Sequence, residues 1–405
     1  GPGGRPDGAA GPGGRPDDAA GPGGRSDDAA GPGGRPDDAA GPGDRPKDMG
    51  ELVPPVPVRA DLDLVEGYHS PQVDVAVRLN TNESPIAPPR AWVEALCAEL
   101  ARIEFNRYPD RRAWVLRSAL AEAHGVRPEE VFCANGSNEV LQCLLLAFGG
   151  AGRAVAVFEP TYALHSHIAR VTGTGVVTGA RLADFRIDLN EVRRVSDEAA
   201  PVVTFLCSPN NPSGRADSEE VVDKVLALAP GLVVVDEAYG QFCAWSALSM
   251  LGDHDRLIVV RTFSKTWSMA GARLGYLVAP ASVVAALEQV ALPYHLDAIK
   301  QVAGRLALDY RADMDARVAA LVEERGRLGA ALAQLPVESW PSDANFILFR
   351  PLTRPGDEVW RGLLDRSVLV RNCSGWPRLD GCLRVTVGTP EENTAFLAAL
   401  AECLA

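Results

Sequence analysis

Six short apolar runs between Glu129 and Pro280 constrain this chain more than any other feature: Val131 to Ala134, Ala154 to Phe158, Val202 to Leu206, Leu232 to Val235, Leu257 to Val260 and Leu274 to Val278. Most are separated by helix-length segments, and a chain that alternates in this way builds a mostly parallel sheet wrapped by helices. The run Leu232-Val233-Val234-Val235 carries no polar alternation, which suits a strand buried on both faces. In such sheets ligands collect at the carboxyl ends of the strands. Five polar clusters fall at those ends: Asn135-Gly136-Ser137-Asn138, Pro160-Thr161-Tyr162, Ser208 to Pro212, Asp236 to Tyr239, and Ser264-Lys265. One such cluster is a turn; five on one edge make a site.

Two of the clusters carry opposite charges. Asp236 ends a buried run, where a carboxylate is costly unless a cation meets it. A pyridinium nitrogen is such a cation, and pairing with a carboxylate keeps the ring an electron sink. Lys265 follows the run Leu257 to Val260 within Thr262-Phe263-Ser264-Lys265-Thr266-Trp267, and Arg273 comes eight residues later. An amine that forms an imine needs low-dielectric walls to keep its neutral form within reach, and a nearby phosphate needs fixed donors, which Ser264 and Arg273 supply. Taken alone, Lys265 reads as a surface lysine at a strand end. Together with Asp236 it reads as the anchor of a phosphorylated aldehyde cofactor. Gly136-Ser137-Asn138 stands between a strand and the apolar helix of Val140 to Phe148, so free amides and the helix dipole face an anion. Without that company the same triplet is an ordinary helix cap.

Composition narrows the partners. The 405 residues are 46% hydrophobic, enough for a large core in two or three domains. A formal charge of −13 and no basic stripe argue against nucleic acid, leaving small molecules as partners. No apolar run is long enough for a bilayer and no signal pattern opens the chain, which predicts a cytoplasmic, membrane-free protein. The eight cysteines are scattered without a C-x-x-C, and read as small buried hydrophobes. His165 and His167, two apart, fit one face of a strand; with no cysteine or carboxylate cluster nearby they read as structural, and no metal is expected.

Residues 1–48 are decaying copies of Gly-Pro-Gly-Gly-Arg-Pro-Asp-Asp-Ala-Ala, and Met49 is a candidate start of the folded part. The ten-residue period is not that of collagen, and nothing in the repeat can form a core, so a disordered tail is predicted. Residues 49–84 read as an extended arm that packs with a small domain, and 85–292 as the large domain, opening with an amphipathic helix over 89–104. Residues 293–405 read as a smaller α+β domain: a long helix around Ala316 to Leu335, a strand over 345–349, two short strands, and a last helix from about Glu391.

Asn211-Pro212, Asp236-Glu237-Ala238-Tyr239 and Ser264-Lys265 followed by Arg273, in this order and spacing, resemble the fold-type I pyridoxal-phosphate enzymes of the aspartate-aminotransferase superfamily. The resemblance covers residues 51–405 and implies an α/β fold with a mostly parallel seven-stranded sheet between helices, plus the smaller domain. It implies pyridoxal 5'-phosphate as cofactor and Lys265 as the lysine that bonds it and moves the α-proton. Asp236 would then pair with the pyridinium nitrogen, Asn211 and Tyr239 with the phenolic oxygen, and Tyr162 would stack on the ring. Gly136, Ser137, Asn138, Ser264 and Arg273 would hold the phosphate. Tyr108, in Asn106-Arg107-Tyr108-Pro109-Asp110, matches a tyrosine that relatives lend to the neighbouring subunit, implying a homodimer.

The substrate is read from the C-terminal strands. Val368 to Arg371 and Cys382 to Thr386 read as two strands joined by a loop with Gly375-Trp376-Pro377; if they pair as a hairpin, Arg371 and Arg384 fall on one face. One guanidinium fork satisfies a carboxylate, and two suit a phosphate dianion; the alternative is that Arg371 is a solvated strand-end residue. A closer resemblance is to the histidinol-phosphate aminotransferases, through Leu79-Asn80-Thr81-Asn82-Glu83, Arg107-Tyr108-Pro109-Asp110, Ala134 to Glu139, Leu292-Pro293-Tyr294-His295 and Leu383 to Thr389. It implies reversible amino transfer between glutamate and a phosphorylated imidazole ketone, with Tyr68, Asn82, Arg371 and Arg384 at the substrate. Rival readings are an aromatic amino-acid aminotransferase, a lyase acting on a phosphorylated amino acid, and a non-catalytic regulator. The last would need a DNA-binding segment, and residues 1–48 contain none.

Overall fold

The computed structural model describes Arg59 and residues 72–405. The repeats, most of the arm and Tyr68 lie outside the described residues. A first strand, β1 (Val77–Leu79), precedes two helices, α1 (Arg90–Leu100) and α2 (Trp114–His124). Strand and helix then alternate: β2 (Val131–Ala134), α3 (Ser137–Phe148), β3 (Ala154–Glu159), α4 (Ala163–Val171), β4 (Gly175–Ala180), α5 (Leu189–Ala199), β5 (Val203–Cys207), α6 (Glu219–Leu228), β6 (Leu232–Asp236). Two consecutive strands, β7 (Leu257–Thr262) and β8 (Gly275–Val278), are followed by α7 (Ala281–Val290), α8 (Ala298–Asp309) and α9 (Arg311–Leu332). The remainder is β9 (Val337–Ser339), β10 (Phe346–Pro351), α10 (Gly356–Asp365), β11 (Val368–Asn372), β12 (Leu383–Thr386) and α11 (Pro390–Leu404).

The large sheet has seven strands in the order β2-β8-β7-β6-β5-β3-β4, and only β8 runs against the rest. Its centre is apolar on both faces because the pleat divides each run. Val234 and Ile258 pack with α3, α4 and α7, while Val233, Val235, Leu257 and Val259 pack with α5 and α6. Each fully buried valine contributes roughly 1.5–3 kcal/mol. Helices start where side chains satisfy their first amides: Asp188 caps α5, Ser218 caps α6, and Thr389 forms a capping box with Glu392 on α11. The strand that the apolar runs do not announce is β4, a half-exposed edge strand with glycine at two of its six positions.

The second sheet has the order β1-β11-β12-β10-β9, with β1 parallel to β11 and the others antiparallel. Leu321, Leu328, Leu332, Val359, Leu363, Phe396 and Leu400 from α9, α10 and α11 cover it. A boundary at residue 293 does not match the packing. Ala303, Leu306 and Ala307 of α8 share a core with Leu116 and Leu120 of α2, beneath β2 and β8. A Cβ at Gly304 would stand 2.4 Å from the Leu274 side chain, so α8 lies tight on the large sheet's layer. The passage between cores occurs inside α9, whose Met314 belongs to the α8 cluster while Leu321 belongs to the small sheet. Among the described residues no helix is long and apolar enough to cross a membrane.

Candidate active site

The carboxyl ends of β2, β3, β5, β6 and β7 open on one edge of the large sheet, and the small sheet closes over it. The cleft between them is lined by Ser137, Asn138, Tyr162, Asn211, Asp236, Tyr239, Ser264, Lys265 and Arg273, together with Thr81, Asn82, Cys207, Trp376 and Arg384. The five polar clusters thus meet in one place.

At one end is an anion cradle. Gly136 caps α3 at a φ of +82°, and a Cβ there would sit 2.9 Å from Arg273 Nη2. A Cβ at Gly275 would lie 2.3 Å from the Ser137 amide nitrogen, so the start of α3 lies directly on β8. No side chain caps the first turn of α3, which leaves its amides to the cleft. Arg273 Nη1 donates to Ser264 Oγ at 3.2 Å, and Thr262 Oγ1 donates to the same oxygen at 3.0 Å. Amides, a guanidinium and hydroxyls without an acid among them are the donor set a phosphate monoester requires.

Across the cleft, Asp236 is 1% exposed. Its Oδ1 accepts from the Ala238 amide at 3.1 Å, and Oδ2 lies 2.9 Å from His165 Nε2. His165 stacks on Phe205 at 4.6 Å and meets Tyr162 edge-on at 5.3 Å. The expectation of a strand for His165 and His167 is therefore corrected: both are on α4, where a two-residue step turns roughly 200° and sends them different ways. His165 is buried against the carboxylate, a contact the sequence reading did not find; its only signal was the position three residues after Tyr162. Among the described residues no group of three or more His, Cys, Asp or Glu could hold a metal ion.

Lys265 reaches into the middle of the cleft, where Nζ donates to the Thr81 carbonyl at 2.9 Å and lies 5.8 Å over the Tyr239 ring. Desolvation lowers its pKa from 10.5 to about 7, helped by the cationic Arg384 and Arg273 and opposed by Glu83. The neutral amine is within reach at neutral pH. Burial pushes the Tyr239 phenol up; its oxygen accepts from Asn82 Nδ2 at 2.9 Å. Asn82 has a φ of +55°, its Oδ1 accepts from Thr386 Oγ1 at 3.1 Å, and its backbone carbonyl accepts from Asn345 Nδ2 at 3.2 Å. It lines the cleft as a bracket that ties Tyr239 to β12.

Arg384, 5% exposed, donates to the side-chain carbonyl of Asn211 and, at 3.0 Å, to the Asn80 carbonyl. Its Cζ sits 5.0 Å over the Phe346 ring, and its Nε is buried without a partner. Among the described residues no carboxylate forms an ion pair with it. Arg371 stands directly opposite Arg384 in the β11–β12 ladder, so both side chains leave the same face. Arg371 is half-buried with its Cζ 5.5 Å over the Trp376 ring.

Other expected residues lie elsewhere. Tyr108 is outside the cleft, 79% exposed, and stacked on Tyr294 at 4.5 Å. Tyr68 lies outside the described residues. Of the cysteines, Cys97 is exposed and Cys243 half-buried, against the expectation for all eight; Cys97 faces solvent because it sits on the outer side of α1.

Comparison with known proteins agrees with this geometry. Residues 74–400 match the family model for aminotransferase class I and II. Histidinol-phosphate aminotransferase of Mycobacterium avium is 44% identical over 360 residues, covering 86% of this chain and 89% of that protein. The enzyme of that name from Thermobifida fusca is 46% identical over 352 residues, 85% of this chain and 95% of its own length. Among solved structures, histidinol-phosphate aminotransferase of Sinorhizobium meliloti, in complex with pyridoxal-5'-phosphate, shares the fold with a TM-score of 0.75. It is 24% identical, and the match covers 82% of this chain and 91% of that one. With a cleft of this composition and relatives this similar along nearly their whole length, the chain belongs to the class I and II aminotransferases, in the histidinol-phosphate aminotransferase family.

Proposed function

We propose that this chain moves an amino group reversibly between glutamate and imidazole-acetol phosphate, forming 2-oxoglutarate and histidinol phosphate, with pyridoxal 5'-phosphate as cofactor. The observation that carries the reading is Arg384, a buried guanidinium without an acid partner that lines the same cleft as a lysine of lowered pKa, with Arg371 opposite it in the β11–β12 ladder. A buried cation without a counter-ion is costly unless an anionic substrate brings one.

The cradle fits the cofactor's phosphate: Gly136, Ser137, Asn138, Ser264 and Arg273 would hold it, with Tyr108 of the partner subunit adding a hydroxyl. Asp236, fixed by His165, would face the pyridine nitrogen; Asn211 and Tyr239 would face the phenolic oxygen, and Tyr162 the ring. When bound, the cofactor supplies an electron sink for charge developing at the substrate Cα. Lys265 is the residue that takes and returns the Cα proton, a role for which a base with a pKa near the working pH is suited. Arg384 grips the α-carboxylate of glutamate in one half-reaction and the phosphate in the other; Arg371 adds a second fork for the more charged anion, and Tyr68 and Asn82 complete the substrate site. The unit is a cytoplasmic homodimer in this reading, supported by the exposed Phe105, Tyr108 and Leu292, large apolar side chains suited to cover by a second subunit.

Absorbance spectra of the cofactor-loaded protein test the proposal. Glutamate alone should convert the aldehyde form of the cofactor to its amine form, and imidazole-acetol phosphate should restore it. Restoration by phenylpyruvate in preference to the phosphorylated ketone would favour an aromatic aminotransferase, and release of carbon dioxide from a phosphorylated amino acid would favour a lyase.

A further inference from the structure

We infer that Trp376 sets substrate selectivity by holding the Arg371 guanidinium in place for a phosphate dianion. The inference rests on the two-arginine reading above and adds the part that orients the second arginine.

Trp376 belongs to the segment joining β11 to β12, and it lines the cleft beside Arg384 and Lys265. Arg371 lies over its ring, Cζ to centroid 5.5 Å, and is the cross-strand partner of Arg384. A guanidinium held over an aromatic ring by cation–π attraction samples fewer positions, which narrows where its N–H groups can point. An unstacked arginine at a strand end must lose its side-chain freedom each time an anion binds.

The platform itself is fixed. Cys373 donates to the Cys382 carbonyl at 3.0 Å, Trp376 to the Cys373 carbonyl at 2.9 Å and Leu379 to the Trp376 carbonyl at 3.1 Å. Asn372 accepts from the Ser374 amide at 2.9 Å and donates to Asp357 at 2.7 Å. On the opposite side Arg378 donates to the Arg181 carbonyl of the large-sheet layer. The indole packs on a small buried cluster of Cys373, Leu379, Cys382, Leu348 and Phe185. The segment therefore binds both layers, and the ring under Arg371 is held relative to the lysine as well as to the other arginine. A carboxylate docked on Arg384 has little need of this device; a dianion that spans both forks depends on it.

The test is steady-state kinetics of the cofactor-loaded full chain carrying Trp376→Leu, with Trp376→Phe as the conservative variant. The quantity read is kcat/KM for histidinol phosphate divided by kcat/KM for glutamate. Trp376→Leu should lower this ratio on the order of tenfold, mostly through KM for histidinol phosphate, and Trp376→Phe should recover most of it. In an Arg371→Ala background, Trp376→Leu should leave the ratio where Arg371→Ala put it. A ratio unchanged in Trp376→Leu, or an equal fall with and without Arg371, overturns the inference. Should Trp376→Leu fail to fold, Trp376→Met, which fills the space without an aromatic face, takes its place, and a ratio unchanged in it while Arg371→Ala lowers the ratio would overturn the inference too. A wild-type protein that does not turn over histidinol phosphate refutes the proposed function instead.

Discussion

Lys265 provides the most quantitative prediction. In the cofactor-free protein its amine is lowered from 10.5 to about 7, chiefly by desolvation. A group whose folded pKa lies below its unfolded value penalises folding fully below the folded value, and the penalty fades as pH rises toward the unfolded one. From 10.5 to about 7, linkage gives roughly 5 kcal/mol near pH 6 and roughly 2 kcal/mol near pH 9. The side chain is only half-buried, so solvent screening reduces the difference to roughly 1–2 kcal/mol. Lys265→Met keeps the shape and removes the charge. Its stability gain over wild type, measured by urea unfolding of both cofactor-free proteins, should therefore be larger by roughly 1–2 kcal/mol near pH 6 than near pH 9. Lys265→Met should also abolish amino transfer. A gain equal at both pH values, or larger near pH 9, would show that the folded protein does not hold the amine at a depressed pKa, and the case for a neutral Lys265 at working pH would fail.

Arg384→Gln should lower kcat/KM about a hundredfold in both half-reactions, because one guanidinium receives both anions; single-turnover absorbance with each substrate reads it, and a loss confined to histidinol phosphate would contradict the shared site. Gly136→Ala forces a side chain into a φ of +82° and to 2.9 Å from Arg273, so cofactor affinity should fall about tenfold in equilibrium dialysis, with unaltered affinity counting against the cradle. His165→Leu leaves Asp236 Oδ2 buried without its partner and should cost about 1–3 kcal/mol in urea unfolding; an unshifted midpoint would mean that the 2.9 Å contact contributes nothing to folding.

The parts of the fold legible in the sequence were those governed by local pattern. Leu232 to Val235 and Leu257 to Val260 have no polar position to face solvent, so they could lie only in a sheet covered on both sides. That Arg371 and Arg384 share a face was legible once their runs were taken as a hairpin, because a strand has a period of two; that they stand directly opposite each other was not. Edge strand β4 was hidden by its glycines and weak burial. The contact of His165 with Asp236 spans 71 residues, and helix periodicity tells which face is inward without telling what that face meets. The same limit hid the packing of α8, which the local pattern after residue 293 did not tie to the large sheet's layer. Tyr108 carries no contact with the cleft in one chain, so its expected role depends on a second subunit.

The position of α9 bears on how this molecule can be dissected. Met314 near its start is sealed among α8 and the large-sheet residues, while Leu321, Leu328 and Leu332 further along plug the small sheet. A gene fragment stopped at residue 292 would strip α8 from Leu116, Leu120 and Leu274 and expose their oily surface. One stopped after α9 would carry three leucines with nothing to cover. No single cut yields two clean halves, so biochemists who want either lobe in isolation must resurface one end of this shared girder first.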